Sequence, residues 1–306
     1  MSTPNRHPQP ADAHDHGLQA DLDTLRTQID RRQALRWLGM GSVAATPLLV
    51  PGSAAAATST WWTNFLATLK KKSSTTTGST GSTGSTGTTS GACSVVPEET
   101  QGPYPGDGSN TANGSVANAL ALSGIVRSDI RSSIAGATGV AAGVPLKLII
   151  KLVNVNSSCA ALDGYAIYLW HCDAVGRYSM YSAGATAENY LRGVQPTDSS
   201  GQATFQTIFP GCYSGRMPHM HFEVYRSSTT ATSFSNKLKT SQLAFPNEVS
   251  TAVYADSRYT GSAANFAKVS FATDGIFSDG YSLEMTSLTG DATNGYSATI
   301  TVGISV

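Results

Sequence analysis

Short apolar runs separated by turn residues dominate the chain from about residue 93 onward. "ALALSGIVRSDI", "VPLKLIIKLVNVN", "GYAIYLWHCD", "GQATFQTIFPG", "HMHFEVY" and "GYSATITVGISV" are each rich in β-branched or aromatic residues and bounded by Gly, Pro, Asn or Asp. Such runs predict strands. Long helical periodicity is absent, although "NEVSTAVYADSRY" predicts one or two helical turns. Many strands without alternating helices predict an all-β fold, an antiparallel β-sandwich over 93–306.

The N-terminal third follows a different pattern. Arg31 and Arg32 precede a mildly apolar stretch from Trp37 to Val50, and small residues follow at Ala54–Ala57. Residues 1–57 therefore read as a twin-arginine export signal, and the protein is expected to be secreted. Gly and Pro interrupt the apolar stretch, which is too short for a stable membrane span. Residues 58–92 hold a short amphipathic piece, "WWTNFLATLKKK", and a Gly/Ser/Thr repeat without apolar residues. That repeat predicts a flexible linker.

Composition narrows the function further. Charged residues make up only 13% of the chain and the net charge is zero, so no nucleic-acid footprint is visible. The four cysteines, Cys93, Cys159, Cys172 and Cys212, all follow the signal. In an oxidising compartment an even number predicts two disulfides with three pairings open, Cys159 with Cys172 being preferred. Removal of the signal takes away His7, His14 and His16 and leaves His171, His219 and His221.

Two of those three histidines lie in "PGCYSGRMPHMHFEV". Side chains two apart on a strand share a face, so His219, His221 and Glu223 point one way and Met220 and Phe222 the other. Two histidines so placed suit a shared metal ion, or form a half-exposed structural pair. Tyr213 stands before a turn containing Gly215 and Pro218, and Tyr178 follows a glycine turn after another predicted strand. Phenolate oxygens with imidazole nitrogens suit a hard, highly charged ion, Fe(III) over Zn(II). A carboxylate alternative, Fe(II) on His219, His221 and Glu223, requires side chains whose neighbours are about 7 Å apart along the strand to converge. His171 reads as a hydrogen-bonded structural residue, and Arg127 with Asp129 as a surface or strand-end pair.

The runs "PEETQGPYP", "GVPLKLIIKLVNV", "LWHCDAVGRYSMYS", "YLRGVQPTDSSGQATFQTIFPGCYSGRMPHMHFEV" and "KLKTSQLAFP" occur in an order that resembles the intradiol ring-cleavage dioxygenases. The likeness is to their secreted branch, related to catechol 1,2- and protocatechuate 3,4-dioxygenases. It implies a non-haem Fe(III) held by Tyr178, Tyr213, His219 and His221, with Tyr213 the ligand displaced by substrate. It further implies that Arg216 and Gln242 belong to the catalytic site and that Tyr104 lines the substrate mouth. The implied reaction uses O2 to cleave a catechol-type ring between its two hydroxyl-bearing carbons, giving a muconate-type diacid. Cys212 and Pro105 depart from the family pattern, and the helical domain that builds the dimer of the cytoplasmic enzymes is missing. Assembly therefore stays open, a homodimer being one outcome. The competing expectation is a secreted sandwich module that binds aromatics or polymer without catalysis.

Overall fold

The computed structural model describes residues 93–306. The export signal, the amphipathic piece and the linker predicted for 1–92 lie outside the described residues. In chain order the strands begin with β1 (Asp107–Ala112), β2 (Ser115–Asn118), β3 (Pro145–Asn154) and β4 (Ala160–Ala161). Next come β5 (Ala166–Trp170), β6 (Arg192–Pro196), β7 (Gln202–Ile208) and β8 (His219–Tyr225). The last three are β9 (Lys237–Ala244), β10 (Ser287–Asp291) and β11 (Gly295–Ile304). Between β9 and β10 lie two short helices, α1 (Asn247–Val253) and α2 (Ser262–Phe266), the first within the segment predicted to turn helically. Among the described residues no helix is long and apolar enough to cross a membrane.

Two sheets form the predicted sandwich. One has the order β10-β11-β3-β4 with β7 also on β3, and the other β6-β5-β8-β9. One pairing departs from the antiparallel expectation: β11 runs parallel to β3, from Tyr296 opposite Leu146 to Ile304 opposite Asn154. Alternation places the inward residues. Leu146, Leu148, Ile150 and Leu152 of β3 meet Phe205 of β7, Ile167 and Leu169 of β5, and Met220, Phe222 and Val224 of β8 in one buried cluster. Full burial of each such side chain stabilises the fold by about 1.5–3 kcal/mol.

Strand β8 is buried along its whole length. Its second face, carrying His219, His221 and Glu223, points away from the inter-sheet core. That face is covered by chain segments outside the sheets, and a second cluster there includes Tyr168, Trp170, Tyr178 and Tyr225. The chemistry-bearing side chains thus lie on the outer face of one sheet, beneath a layer of loops.

Three expectations need correction. "ALALSGIVRSDI" is not a strand: it holds a 3-10 turn at Ala119–Ala121 and two isolated bridges, Val126 to Val194 and Asp129 to Gln206. Of its apolar residues Ala119, Leu120, Ile125 and Ile130 are buried, whereas Val126 is exposed. Arg127 does not pair with Asp129; it donates to the carbonyls of Arg192, Ser132 and Asn189, while Asp129 binds Arg131 at 2.6 Å.

The cysteines also pair differently. Cys93 is bonded to Cys159, whereas Cys172 and Cys212 are buried free thiols. The N-terminal segment explains this: Val95 bridges Gly303, next to the end of β11, and β11 lies on β3, whose end precedes Cys159. Cys172 instead follows β5 in the opposite sheet, where its Sγ donates to the Gly211 carbonyl at 3.5 Å. The bridge closes a loop with a sequence separation of 66. A Cys93→Ser, Cys159→Ser variant is expected to lose about 4 kcal/mol on the loop-entropy scale. Urea denaturation of oxidised wild type against the variant reads this directly, and equal midpoints would refute it.

Candidate metal centre

The loops and strands bring four donor atoms together. His219 Nε2 and His221 Nε2 are 3.2 Å apart, and the Tyr178 hydroxyl lies 3.5 Å from the first and 3.3 Å from the second. The Tyr213 hydroxyl is 3.1 Å from His219 Nε2. Glycines make the approach feasible. Gly176, at φ +87°, turns the chain into Tyr178, and a Cβ there would stand 3.1 Å from the Tyr213 Cβ. Gly102, at φ +68°, lies against the His221 ring, where a Cβ would be 3.3 Å from Cε1. Both positions combine a left-handed backbone with a close neighbour, which glycine alone meets without strain.

The histidines are locked in one orientation. His219 Nδ1 donates to the Met217 carbonyl at 2.6 Å, which leaves a lone pair on its Nε2. His221 stacks on Trp170, the ring planes 5° apart. Its Nδ1 lacks a partner in hydrogen-bond geometry, although the Thr100 carbonyl acts on it electrostatically. Burial, then the Arg216 charge, pushes His219 well below the ordinary imidazole value; burial and then His219 and Arg216 do the same for His221. With the proton on Nδ1 of both rings, the two Nε2 lone pairs face each other at 3.2 Å and are free to bind one cation between them.

A metal ion fits that arrangement. Donor atoms about 2.0–2.3 Å from one ion are spaced from each other by about 3–3.5 Å, as here. Burial and then Tyr213 push the Tyr178 phenol well above its ordinary value, a tendency that a bound cation reverses. Among the described residues no three His, Cys, Asp or Glu side chains gather as a metal site, so a carboxylate does not complete the pair. Glu223 is engaged elsewhere, with Lys237 at 3.0 Å and the Tyr225 hydroxyl at 2.7 Å. This removes the Fe(II) alternative built on His219, His221 and Glu223. Nor are the histidines half-exposed: both are 2% exposed, as is Tyr178. Tyr213 alone of the four donors is partly accessible.

Arg216 stands beside the donors. Its Nη1 is 3.5 Å from His219 Nε2, its Nη2 donates to Gln242 Oε1 at 2.8 Å, and its Nε donates to Asp274 at 3.0 Å. Burial opposes the guanidinium charge, but Asp274 and the tyrosines outweigh it and raise its affinity for the proton. Gln242 in turn donates to the Thr100 carbonyl at 3.0 Å. Tyr104 stacks obliquely on Tyr178, ring centres 5.0 Å apart, and on Tyr181 at 5.2 Å. All seven residues singled out in the sequence therefore lie in one neighbourhood.

His171 stands apart from the donors as expected. Its Nδ1 contacts the Cys172 carbonyl at 2.8 Å and its Nε2 the Thr207 hydroxyl at 2.7 Å; burial lowers its pKa to about 4. Sequence reasoning missed Asp274, Trp170, Gly102 and Arg192. Buried Arg192 donates to the Tyr104 and Pro105 carbonyls and to Ser179, and so ties the segment bearing Tyr104 to the turn bearing Tyr178. An arginine and glycine opening β6 were the available signal, yet a charged start reads as loop. Two surface clefts, of about 410 and 220 Å³, lie away from the donors.

Comparison with known proteins adds to this geometry. A family profile described as dioxygenase matches residues 129–256. No curated protein matches the chain. An intradiol ring-cleavage dioxygenase from Tetranychus urticae is similar in structure, with 23% identity over 70% of this chain and 95% of its own, and a TM-score of 0.51. The dioxygenase domain of a dioxygenase and carbohydrate-binding protein fusion from Streptomyces sp. SirexAA-E has 21% identity over 70% and 99%, with a TM-score of 0.44. For 3-chlorocatechol 1,2-dioxygenase from Rhodococcus opacus 1CP the figures are 18%, 68%, 72% and 0.40.

Proposed function

We propose, from the premise that the chain is a relative of the intradiol ring-cleavage dioxygenases, that it cleaves catechol-type rings with O2 between the two hydroxyl-bearing carbons. Both oxygen atoms enter the product, a muconate-type diacid. The observation that carries this reading is the convergence of two phenol oxygens and two imidazole nitrogens, 3.1–3.5 Å apart, beside a buried arginine. Tyr178, Tyr213, His219 and His221 would hold a non-haem Fe(III). When bound, that ion supplies the electron-accepting centre that makes the catechol reactive toward O2.

The chain's own groups then have distinct tasks. Tyr178, stacked under Tyr104 and buried, is suited to remain in place. Tyr213, partly accessible and on a turn, is suited to yield its position to a substrate oxygen and take up the hydroxyl proton. Arg216, fixed by Asp274 and Gln242, presents Nη1 toward the donors and stabilises negative charge on the ring. Tyr104 and the covering loops keep water from the reacting carbons. Secretion by the twin-arginine route is part of the same proposal, supported by Arg31 and Arg32 and by the Cys93–Cys159 disulfide.

The test is a visible absorption spectrum of iron-loaded protein before and after catechol is added under nitrogen. A broad tyrosinate-to-iron band that shifts with catechol, followed by muconate formation when oxygen is admitted, is the expected outcome. A protein that stays colourless with added Fe(III) would refute the enzyme reading and favour a non-catalytic module that binds aromatics or polymer.

A further inference from the structure

Asp274 is fully buried, and both of its carboxylate oxygens are in use. Oδ2 accepts from Arg216 Nε at 3.0 Å and from the Met217 backbone N–H at 2.6 Å. Oδ1 accepts from the backbone N–H groups of Ile276 at 2.8 Å and Phe277 at 3.1 Å. Met217, clamped at its N–H by Asp274, offers its carbonyl to His219 Nδ1. The Phe277 ring lies under the Arg216 guanidinium, 5.8 Å from its carbon, and edge-on to His219 at 6.4 Å. One carboxylate thus touches the arginine, the residue that orients a proposed iron ligand, and the loop that packs against both.

We propose that Asp274 is a positioning residue that fixes Arg216 and His219 relative to one another; this rests on the functional reading above. Arg216 has three nitrogen atoms, and two are committed: Nε to Asp274 and Nη2 to Gln242. Only Nη1 is left to face the donor cluster. A planar guanidinium held at two corners cannot rotate its third, so the cation is aimed before substrate arrives. Without the carboxylate, a guanidinium only 6% exposed would be an uncompensated buried charge and would turn toward solvent or another acceptor. Misplacement by about 1 Å costs on the order of 100-fold in rate.

The experiment compares Asp274→Asn, Arg216→Met and the double variant as iron-loaded full chains. Iron content, the visible band with and without catechol, and kcat and KM are measured for each. Asp274→Asn is expected to keep its iron and its tyrosinate band while kcat falls roughly 100-fold and KM changes little. A double variant is expected to lose less than the product of the two single losses, since Asp274 acts in large part through that arginine. Wild-type kcat in Asp274→Asn, or losses that multiply in the double variant, would overturn the proposal. If Asp274→Asn fails to fold, the double variant decides: recovered folding supports service to the buried cation, and continued failure overturns it. The wild type's own band and turnover report on the functional reading separately.

Discussion

Replacing His221 with alanine is expected to give a folded, colourless protein whose iron affinity is lowered by well over about 100-fold. That figure is the upper end for loss of a mere supporting contact, and His221 supplies a donor atom. Its Nε2 stands 3.2 Å from His219 Nε2 and 3.3 Å from the Tyr178 hydroxyl, so its removal leaves three donors and a gap beside both of these. Folding should survive because the opposite face of β8, with Met220, Phe222 and Val224, keeps its place in the core. Tyr178→Phe makes the complementary change: the ring and its packing against Tyr104 stay, and only the oxygen is lost. It should bind iron more weakly and move the visible band. His171→Asn is the control, since both ring nitrogens of His171 are bound to Cys172 and Thr207, and its iron content should equal that of wild type. Iron per chain by emission spectroscopy, with the visible spectrum, reads all three. A coloured, fully iron-loaded His221→Ala would remove His221 from the donor set.

The sequence disclosed these donors unevenly, and the physical reason differs for each. Strand β8 was legible because period-two alternation is strong in "HMHFEV"; the pairing with β9 shifts register only at its last residue, between Val224 and Tyr225. Tyr178 and Tyr213 sit on turns, where spacing has no period, so only resemblance to a family selected them from twelve tyrosines. Asp274 carried no local signal at all. It lies 58 residues from Arg216, and a contact across that distance exists only once β9 and the following helices have folded back. The misplaced disulfide has the same origin: Cys159 and Cys172 are near in sequence, but β3 and β5 belong to different sheets. Local patterning therefore marked the core strands β3, β5, β7, β8 and β11, whereas the closing layer around the donors depended on long-range pairing.

That closing layer also contains a group with a large expected effect on stability. Glu284 is fully buried, and burial, followed by the charge of Glu99, raises its pKa to about 8. Its Oε1 receives a long 3.4 Å contact from Ser241, the Gln242 backbone N–H acts on the carboxyl electrostatically, and Oε2 has no hydrogen-bond partner. In the unfolded chain the same carboxyl ionises near the ordinary value of about 4.3. Between those two values the unfolded state has lost its proton while the folded state still holds it. Stability from this group is thus complete below about pH 4 and falls as pH rises through about 8, by up to about 1.4 kcal/mol per pH unit. Glu223, raised to about 7 by burial against the pull of Lys237, slopes the same way. His171, lowered to about 4, slopes oppositely, adding stability as pH rises through the range below the ordinary imidazole value. The difference between wild type and Glu284→Gln isolates one group from the others. Urea denaturation at pH 5, 6.5 and 8 should show the two proteins close together at pH 5 and Glu284→Gln more stable by a few kcal/mol at pH 8. Parallel curves across that range would mean that Glu284 ionises in the folded protein as readily as in the unfolded one, and that a partner for its Oε2 offsets the burial.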